Sequence, residues 1–275
     1  SMDTHIVLVY CLCDDLLKWQ HHRNDSQCML SDAEIMTIAI VAAMYFHGNQ
    51  AMARLFLREQ GYIKHTISRS RFCRRLAKVR HQFLTLFNLL GEVAKAQNAD
   101  NIYIIDSLPI AVCDNYRIRR CKLYRDEAYR GYQASKRRYF YGLKIHLVVT
   151  KTGQPVEFFL SPGAFSDTAA LDQFDFDLPP EAWIVGDKAY NVYLIEDIMA
   201  DCDLFLLPLR KDNSKRPHPG WLRYLLATYR KTVETAGSQI ERLLPKHIHA
   251  VTADGFELKT MLFVLASSIF AIFDQ

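Results

Sequence analysis

Between Ser31 and Phe46 the chain runs Ser-Asp-Ala-Glu and then almost wholly apolar from Ile35 to Phe46. A hydroxyl residue with Glu three positions on forms a capping box, so this spacing predicts a helix that starts there. Segments from about Ile6 to Trp19, Ala51 to Glu59 and Arg69 to Lys95 repeat apolar residues at every third or fourth position, with Gly48 and Gly61 as breaks, and predict further helices. After Asn98 the texture changes. Ile102–Ile105, 142–150, 156–160, 183–185 and 204–207 are rich in β-branched and aromatic residues and predict strands, with a hairpin turn at Lys151-Thr152-Gly153-Gln154. Helical patterns at 192–200 and 221–244 alternate with the later strands, and a last helix is expected over 255–273. Three early strands followed by strand-helix alternation predict an α/β fold, a mixed sheet covered by helices, after an all-helical region. The boundary falls near residues 96–101, which divides the chain into 1–98 and 99–275.

Composition narrows the class. Of 275 residues half are hydrophobic and 23% are charged, which excludes disordered and collagen-like chains. The most apolar stretches, 6–13 and 261–273, are shorter than a spanning helix, and Asp3, Asp14 and Asp15 replace the basic lead of a signal peptide, so neither a membrane span nor a leader is expected. Seven cysteines without a CxxC pair predict reduced thiols in a cytoplasm. The net charge is only +4, yet its distribution is uneven. Ten Lys or Arg between Arg117 and Lys144 face only Asp126 and Glu127 and interleave with six aromatics, while Arg69, Arg71, Arg74, Arg75, Lys78 and Arg80 cluster on one predicted helix. Such patches suit a polyanion, because cations displace the counterions of phosphates and rings stack on bases. The stretch 68–80 resembles the basic helix of a helix-turn-helix.

Acids carry the candidate chemistry. Asp106 follows the apolar run Ile102–Ile105 and Asp187 follows Trp183-Ile184-Val185-Gly186, so both are expected at strand ends. An acid is a poor strand residue, and the carboxyl ends of neighbouring strands converge on one crevice. Two such carboxylates can share a divalent cation; alternatively each caps the segment that follows. The helix over 221–244 offers Glu234 and Glu241, two turns apart on one face beside the stripe Val233, Gly237, Ile240 and Leu244. Arg230, one turn before Glu234, can orient it, meet a phosphate, or form a plain surface ion pair. His146, flanked by Ile145 and Leu147, fits a packed or surface histidine better than a ligand.

The order strand-Asp106, strand-Asp187, helix-Glu234 resembles the Asp-Asp-Glu triad of RNase H-like transposases and integrases. Segments LSDAEIMTIAI (30–40), IIDSLPI (104–110), YFYGLKIHLVVTKTGQPVEFFLSPG (139–163), GDKAYN (186–191) and RKTVETAGSQIERL (230–243) are similar to bacterial insertion-sequence transposases of the 982 family, over essentially the whole chain. The resemblance implies an RNase H-like catalytic domain over 99–275 and a helical DNA-binding domain over 1–98. It implies that Asp106 bridges two Mg²⁺ ions, with Mn²⁺ able to substitute, while Asp187 and Glu234 complete their shells. The implied reaction is cleavage at terminal inverted repeats, followed by transfer of the 3′-hydroxyl into target DNA. Lys188 and Tyr190 are then expected to point toward the scissile phosphate or flanking DNA, and Arg230 to support the carboxylates.

Related transposases carry Tyr, two residues, Arg, three residues, Glu, six residues and a base. Here Ala227 stands at the Tyr position and Glu241 at the basic one, with Tyr229 and Lys246 as substitutes in space. Ser166-Asp167 stands where relatives often carry His-Asp, and Asp167 is taken as a loop residue. Arg69, Arg71, Arg74, Arg75 and Lys78 are expected to read the inverted repeats. Arg117, Arg119, Arg120, Lys136, Arg137 and Arg138 are expected on a loop that orders over double-stranded DNA. A homodimer or larger assembly on DNA, at the bacterial nucleoid and away from membranes, completes what the resemblance implies. Rival readings are a catalytically inactive repressor and a structure-selective nuclease of the same fold, with a paired-carboxylate glycosidase a distant third.

Overall fold

The structure, a computed structural model, describes residues 1–114, 127–133, 138–172, 175–245, 248 and 250–273. The chain divides into two units: Ser1–Leu89 with Ile240–Ala250 and Asp254–Gln275, and Leu90–Gln239 with Val251–Ala253.

The first unit is helical. It contains α1 (Met2–Trp19), α2 (Asp32–Tyr45), α3 (Gln50–Glu59), most of α4 (Arg69–Gln97) and nearly all of α8 (Ala253–Phe273). The expected capping box starts α2: Ser31 Oγ accepts from Glu34 N at 3.1 Å, and Ser31 N donates to a Glu34 carboxylate oxygen at 2.6 Å. Every residue from Ile35 to Met44 is buried, so α2 runs through the middle of this unit rather than along its surface. α8 is 21 residues long and apolar enough to cross a membrane, longer than the run 261–273 suggested. It is buried continuously from Thr260 to Ile269, and its Phe270 packs edge-on to His5 and Tyr45. Those contacts make it a core helix of the first unit, whereas the sequence boundary grouped it with the strands. An all-round apolar helix must be enclosed, and its pattern does not say by which partners.

The second unit is built on a six-stranded mixed sheet: β1 (Ile102–Asp114), β2 (Arg130–Gln133), β3 (Arg138–Thr150), β4 (Pro155–Pro162), β5 (Ala182–Gly186) and β6 (Leu204–Pro208). β3 pairs antiparallel with β1 along one edge and with β2 and then β4 along the other. β5 and β6 add in parallel on the far side of β1, reached through α5 (Asp167–Leu171) and α6 (Tyr193–Asp201). One core gathers Tyr103, Ile105, Val148, Ile184, Leu206, Ile195 and Met199 beneath the sheet, together with Ala94 of α4. Two glycines mark close backbone approaches. A Cβ at Gly91 of α4 would stand 2.8 Å from the Val156 carbonyl oxygen, and one at Gly142 would stand 2.1 Å from that of Ile110, beside the β-bulge at 111–113.

The basic stretch expected to be a loop contains β2, a strand on the sheet edge. Within it, Arg117, Arg119, Arg120, Lys136 and Arg137 lie outside the described residues, and Arg138 opens β3 opposite Gln133.

Candidate active site

Asp106 does not end a strand. It is the fifth residue of the thirteen in β1, opposite Leu147 of β3. The parallel partner β5 covers only Ile102–Ile104, against Trp183–Val185. Two residues further in this register, Asp106 comes level with Asp187, which directly follows β5 as expected. Adjacent strands lie about 4.8 Å apart, so the two acids occupy one end of the parallel part of the sheet, on the same face by alternation. Asp106 Oδ1 accepts from Ser107 N at 2.8 Å. Burial, with Asp187 and Asp167 as like charges nearby, pushes its carboxyl up to about 6 against the pull of that N–H and of Arg230. Asp187 Oδ1 accepts from Ala189 N at 2.7 Å and caps the 3₁₀ turn Lys188–Tyr190, so capping and a place at the crevice coexist in one residue.

The helix α7 (Gly220–Leu243) buries Leu222, Leu226, Val233, Ala236 and Ile240 and supplies the third acid. Ala236, rather than the expected Gly237, continues the buried stripe. Arg230 Nε donates to Glu234 Oε1 at 2.9 Å; the Arg side chain is one-third exposed and the Glu about half. The same guanidinium opposes the rise of the Asp106 carboxyl, so it faces both acids electrostatically. Among the described residues, no three His, Cys, Asp or Glu side chains converge on a point fit for a metal ion. Glu241 is exposed and falls in the stretch of α7 that belongs to the first unit. Tyr229 does not stand in for the missing tyrosine. Its ring lies 5.8 Å from Lys151 Nζ, in a shallow cleft with Asp100, Ile102 and Trp183 at the opposite, amino ends of the parallel strands. Lys246 lies outside the described residues.

The other face of β1 holds a polar cluster that the sequence did not reveal. Ser107 Oγ donates to Asp167 Oδ1 at 3.0 Å, and Lys144 Nζ reaches the same oxygen at 3.3 Å and the Phe165 carbonyl at 2.8 Å. Asp167 therefore anchors the start of α5 to β1 and β3 and is not a loose loop residue. The lone Lys144 in an apolar strand was the available sign. Next to it His146 is fully buried, hydrogen-bonded to Ser161 Oγ at 2.8 Å and stacked on Phe159 at 4.4 Å, so it is a packed histidine. Burial holds its imidazole down to about 4. Tyr190 corrects an expectation: it is wholly buried and cannot reach flanking DNA. Burial, and then Asp167, Asp106 and Asp187, raise its hydroxyl well above the ordinary value, with Ser107 beside it, so the ring supports both strands from beneath. Lys188 remains exposed next to Asp187.

On α4, Arg69, Arg71, Arg74 and Lys78 are exposed. Arg75 is not part of that surface. Its guanidinium donates to the Leu30 carbonyl and to Asp32 Oδ1, both at 2.5 Å, and ties α4 to the start of α2. Asp32 also binds His22 Nε2 at 2.6 Å, so this arginine is spent on the fold.

Residues 96–249 match the family described as the transposase DDE domain, a span that contains Asp106, Asp187 and Glu234. No curated protein matches the chain by sequence. Among solved structures, a piggyBac transposase synaptic complex with hairpin DNA is similar, with a TM-score of 0.50 at 12% identity, over 98% of this chain and 74% of that one. At that identity the similarity is one of fold.

Proposed function

The chain belongs to the transposase DDE-domain family, and from that premise we propose that it is a DNA transposase which cuts at the terminal inverted repeats of an insertion sequence and joins the exposed 3′ ends to target DNA. The observation that carries this reading is the level placement of Asp106 and Asp187 on adjacent parallel strands, beside the Arg230–Glu234 pair. The order β4-β3-β1-β5-β6, antiparallel and then parallel, supports an RNase H-like frame for them. A bacterial source related to the 982 family, and a dimer or larger assembly on double-stranded DNA, belong to the same proposal.

The chemistry of the donors suits a hard divalent cation: Asp106 and Asp187 stand level on adjacent strands with Arg230 near Asp106, although no third acid converges with them among the described residues. Asp106, Asp187 and Glu234 would hold Mg²⁺, or Mn²⁺ in its place. When bound, these ions supply activation of the attacking hydroxyl and neutralisation of charge at phosphorus. The protein groups do the rest. Ser107 N and Ala189 N each fix one oxygen of the two aspartates, which pre-sets the pair. Arg230 holds Glu234 by one oxygen and offers its positive charge to the phosphate that approaches. Lys188, exposed beside Asp187, would meet the flanking phosphate, and the exposed Arg69, Arg71, Arg74 and Lys78 of the helical unit would contact DNA backbone.

The test is nicking and joining of a labelled plasmid that carries the gene's own flanking DNA, with Mg²⁺ or Mn²⁺, and with Asp187→Ala as control. Cuts at the element ends and joined products, both lost in the variant, are expected. Binding without cuts under both metals would establish the repressor reading instead, and cuts without joining would indicate a nuclease.

A further inference from the structure

Asp187 lies on a segment with little regular structure to fix it: β5 ends at Gly186, and the 3₁₀ turn Lys188–Tyr190 is three residues long. A carboxylate is only as well placed as the backbone that carries it. Here that backbone is tied to the residues that leave β6. Leu209 N donates to the Gly186 carbonyl at 2.9 Å, and Asn191 Nδ2 donates both to the Leu209 carbonyl and, at 3.2 Å, to that of Lys188. The Asn191 Oδ1 accepts in turn from Arg210 Nη1 at 3.0 Å. Both ends of this amide are therefore engaged, the donor end on two carbonyls and the acceptor end on a group that can only donate.

Arg210 is held by Glu196 of α6 through two parallel bonds of 2.5 and 2.8 Å, and each side chain is only 9% exposed. Such a fork is geometrically exact, but taking both charges out of water is costly, and apolar residues of similar volume usually serve a fold as well. Its value here lies in what it holds. The Tyr193 ring lies 5.5 Å from the Arg210 guanidinium, and the Tyr193 hydroxyl bonds to Ser214 Oγ and accepts from Lys215 N, both at 2.9 Å, so the exit from β6 is pinned along α6. A second pair between the same loop and helix, Arg216–Asp197, is about half exposed and, among the described residues, bonds to neither Asn191 nor the 3₁₀ turn.

We propose that Arg210 and Glu196 are positioning residues for Asp187. The fork orients Asn191, and Asn191 grips the carbonyls of Lys188 and Leu209, which keeps the turn closed on β6 and Asp187 level with Asp106. None of the three side chains touches the reacting atoms. Their role presupposes the reading of Asp187 as a metal-holding carboxylate, and two of its three readouts need no cleavage.

The experiment compares the full chain with the double variant Arg210→Met, Glu196→Met, which removes both charges and keeps their bulk, and with Asn191→Ala, which cuts the link and leaves the pair intact. Asp197→Asn is the control. In metal-free buffer, amide hydrogen exchange over 187–191 should quicken roughly tenfold or more in both test variants, while exchange over 102–108 and 182–186 stays as it was. Binding of Mn²⁺, followed by the resonance of the free ion, should weaken about 10–100-fold, and the cleavage rate should fall by a similar factor at unchanged DNA affinity. The control should match the unaltered protein in all three. If the double variant melts early, Asn191→Ala alone decides. Unchanged exchange over 187–191 or unchanged Mn²⁺ affinity in Asn191→Ala would overturn the proposal, as would a uniform rise in exchange across the sheet. An unaltered protein that binds Mn²⁺ but does not cut would defeat the transposase reading and leave the positioning role standing; one that binds no Mn²⁺ would defeat both.

Discussion

Asp106 and His146 sit on opposite faces of the paired strands β1 and β3, and burial acts on them with opposite sign. Between 3.8 and about 6 the native Asp106 holds a proton that the unfolded chain releases, so its contribution to stability falls as pH rises through that window. Between about 4 and 6.5 the unfolded chain protonates His146 while the native one does not, so stability falls as pH drops. Each effect is on the order of 1–3 kcal/mol, at 1.36 kcal/mol per pKa unit, and in the unaltered protein they oppose. In metal-free buffer, Asp106→Asn should therefore lose stability more steeply on acidification from pH 6.5 to 4, and His146→Gln less steeply. Urea midpoints across that range decide it; parallel curves for all three proteins would refute the assignment. A second prediction distinguishes the acids of α7. Glu234→Gln should abolish metal-dependent cleavage, while Glu241→Gln, in the other unit, should retain most of it, and the reverse ranking in a plasmid assay would overturn the choice.

At the scale of elements, glycines test how tightly the strands and helices meet. Gly142→Ala would drive a methyl into the Ile110 carbonyl and should cost on the order of 2–4 kcal/mol. Gly237→Ala in α7 meets nothing within 4 Å and should stabilise by about 0.5–1 kcal/mol, because alanine is the better helix former. Chemical denaturation of the two variants should give opposite signs. The sequence made these elements legible unevenly. The α2 capping box and the strands at 102–105, 183–185 and 204–207 announce themselves through local pattern. The continuation of β1 past Asp106 does not, because Asp-Ser-Leu-Pro interrupts the apolar run; the strand persists because β5 has stopped and Pro109 loses no ladder on that edge. β2 is hidden for a related reason: Arg-Gly-Tyr-Gln carries no apolar alternation and is held by backbone pairing with β3. Asp106, Asp187 and Glu234 could be picked out by their place after strands and on a helix. Asp167, Ser107 and Lys144 could not, since their contacts join residues 21 to 60 positions apart. Arg75 shows the converse, a residue typical of a DNA surface diverted to Asp32.

For the whole molecule, a net charge of +4 is too small to attract DNA by itself, so affinity must come from local stripes. Replacing Arg71, Arg74 and Lys78 together by Gln should lower the slope of log affinity against log salt by about three, roughly one for each lost phosphate contact. Arg75→Gln should leave that slope unchanged and lower the melting temperature instead. The division of the chain carries a further consequence. The helical unit needs Ser1–Leu89, Ile240–Ala250 and Asp254–Gln275, so the whole of 90–239 is inserted within it. On the ribosome, α1 and α2 emerge well before α8, the helix that packs against both of them through Phe270. Until then Ile35 to Met44 must shelter without their full complement of neighbours, a window in which a nascent chain is open to aggregation or to a chaperone. The sheet of the second unit can form during that wait, so these two units are expected to fold from 90–239 outward, α1 and α2 maturing only once α8 has emerged to pack on them.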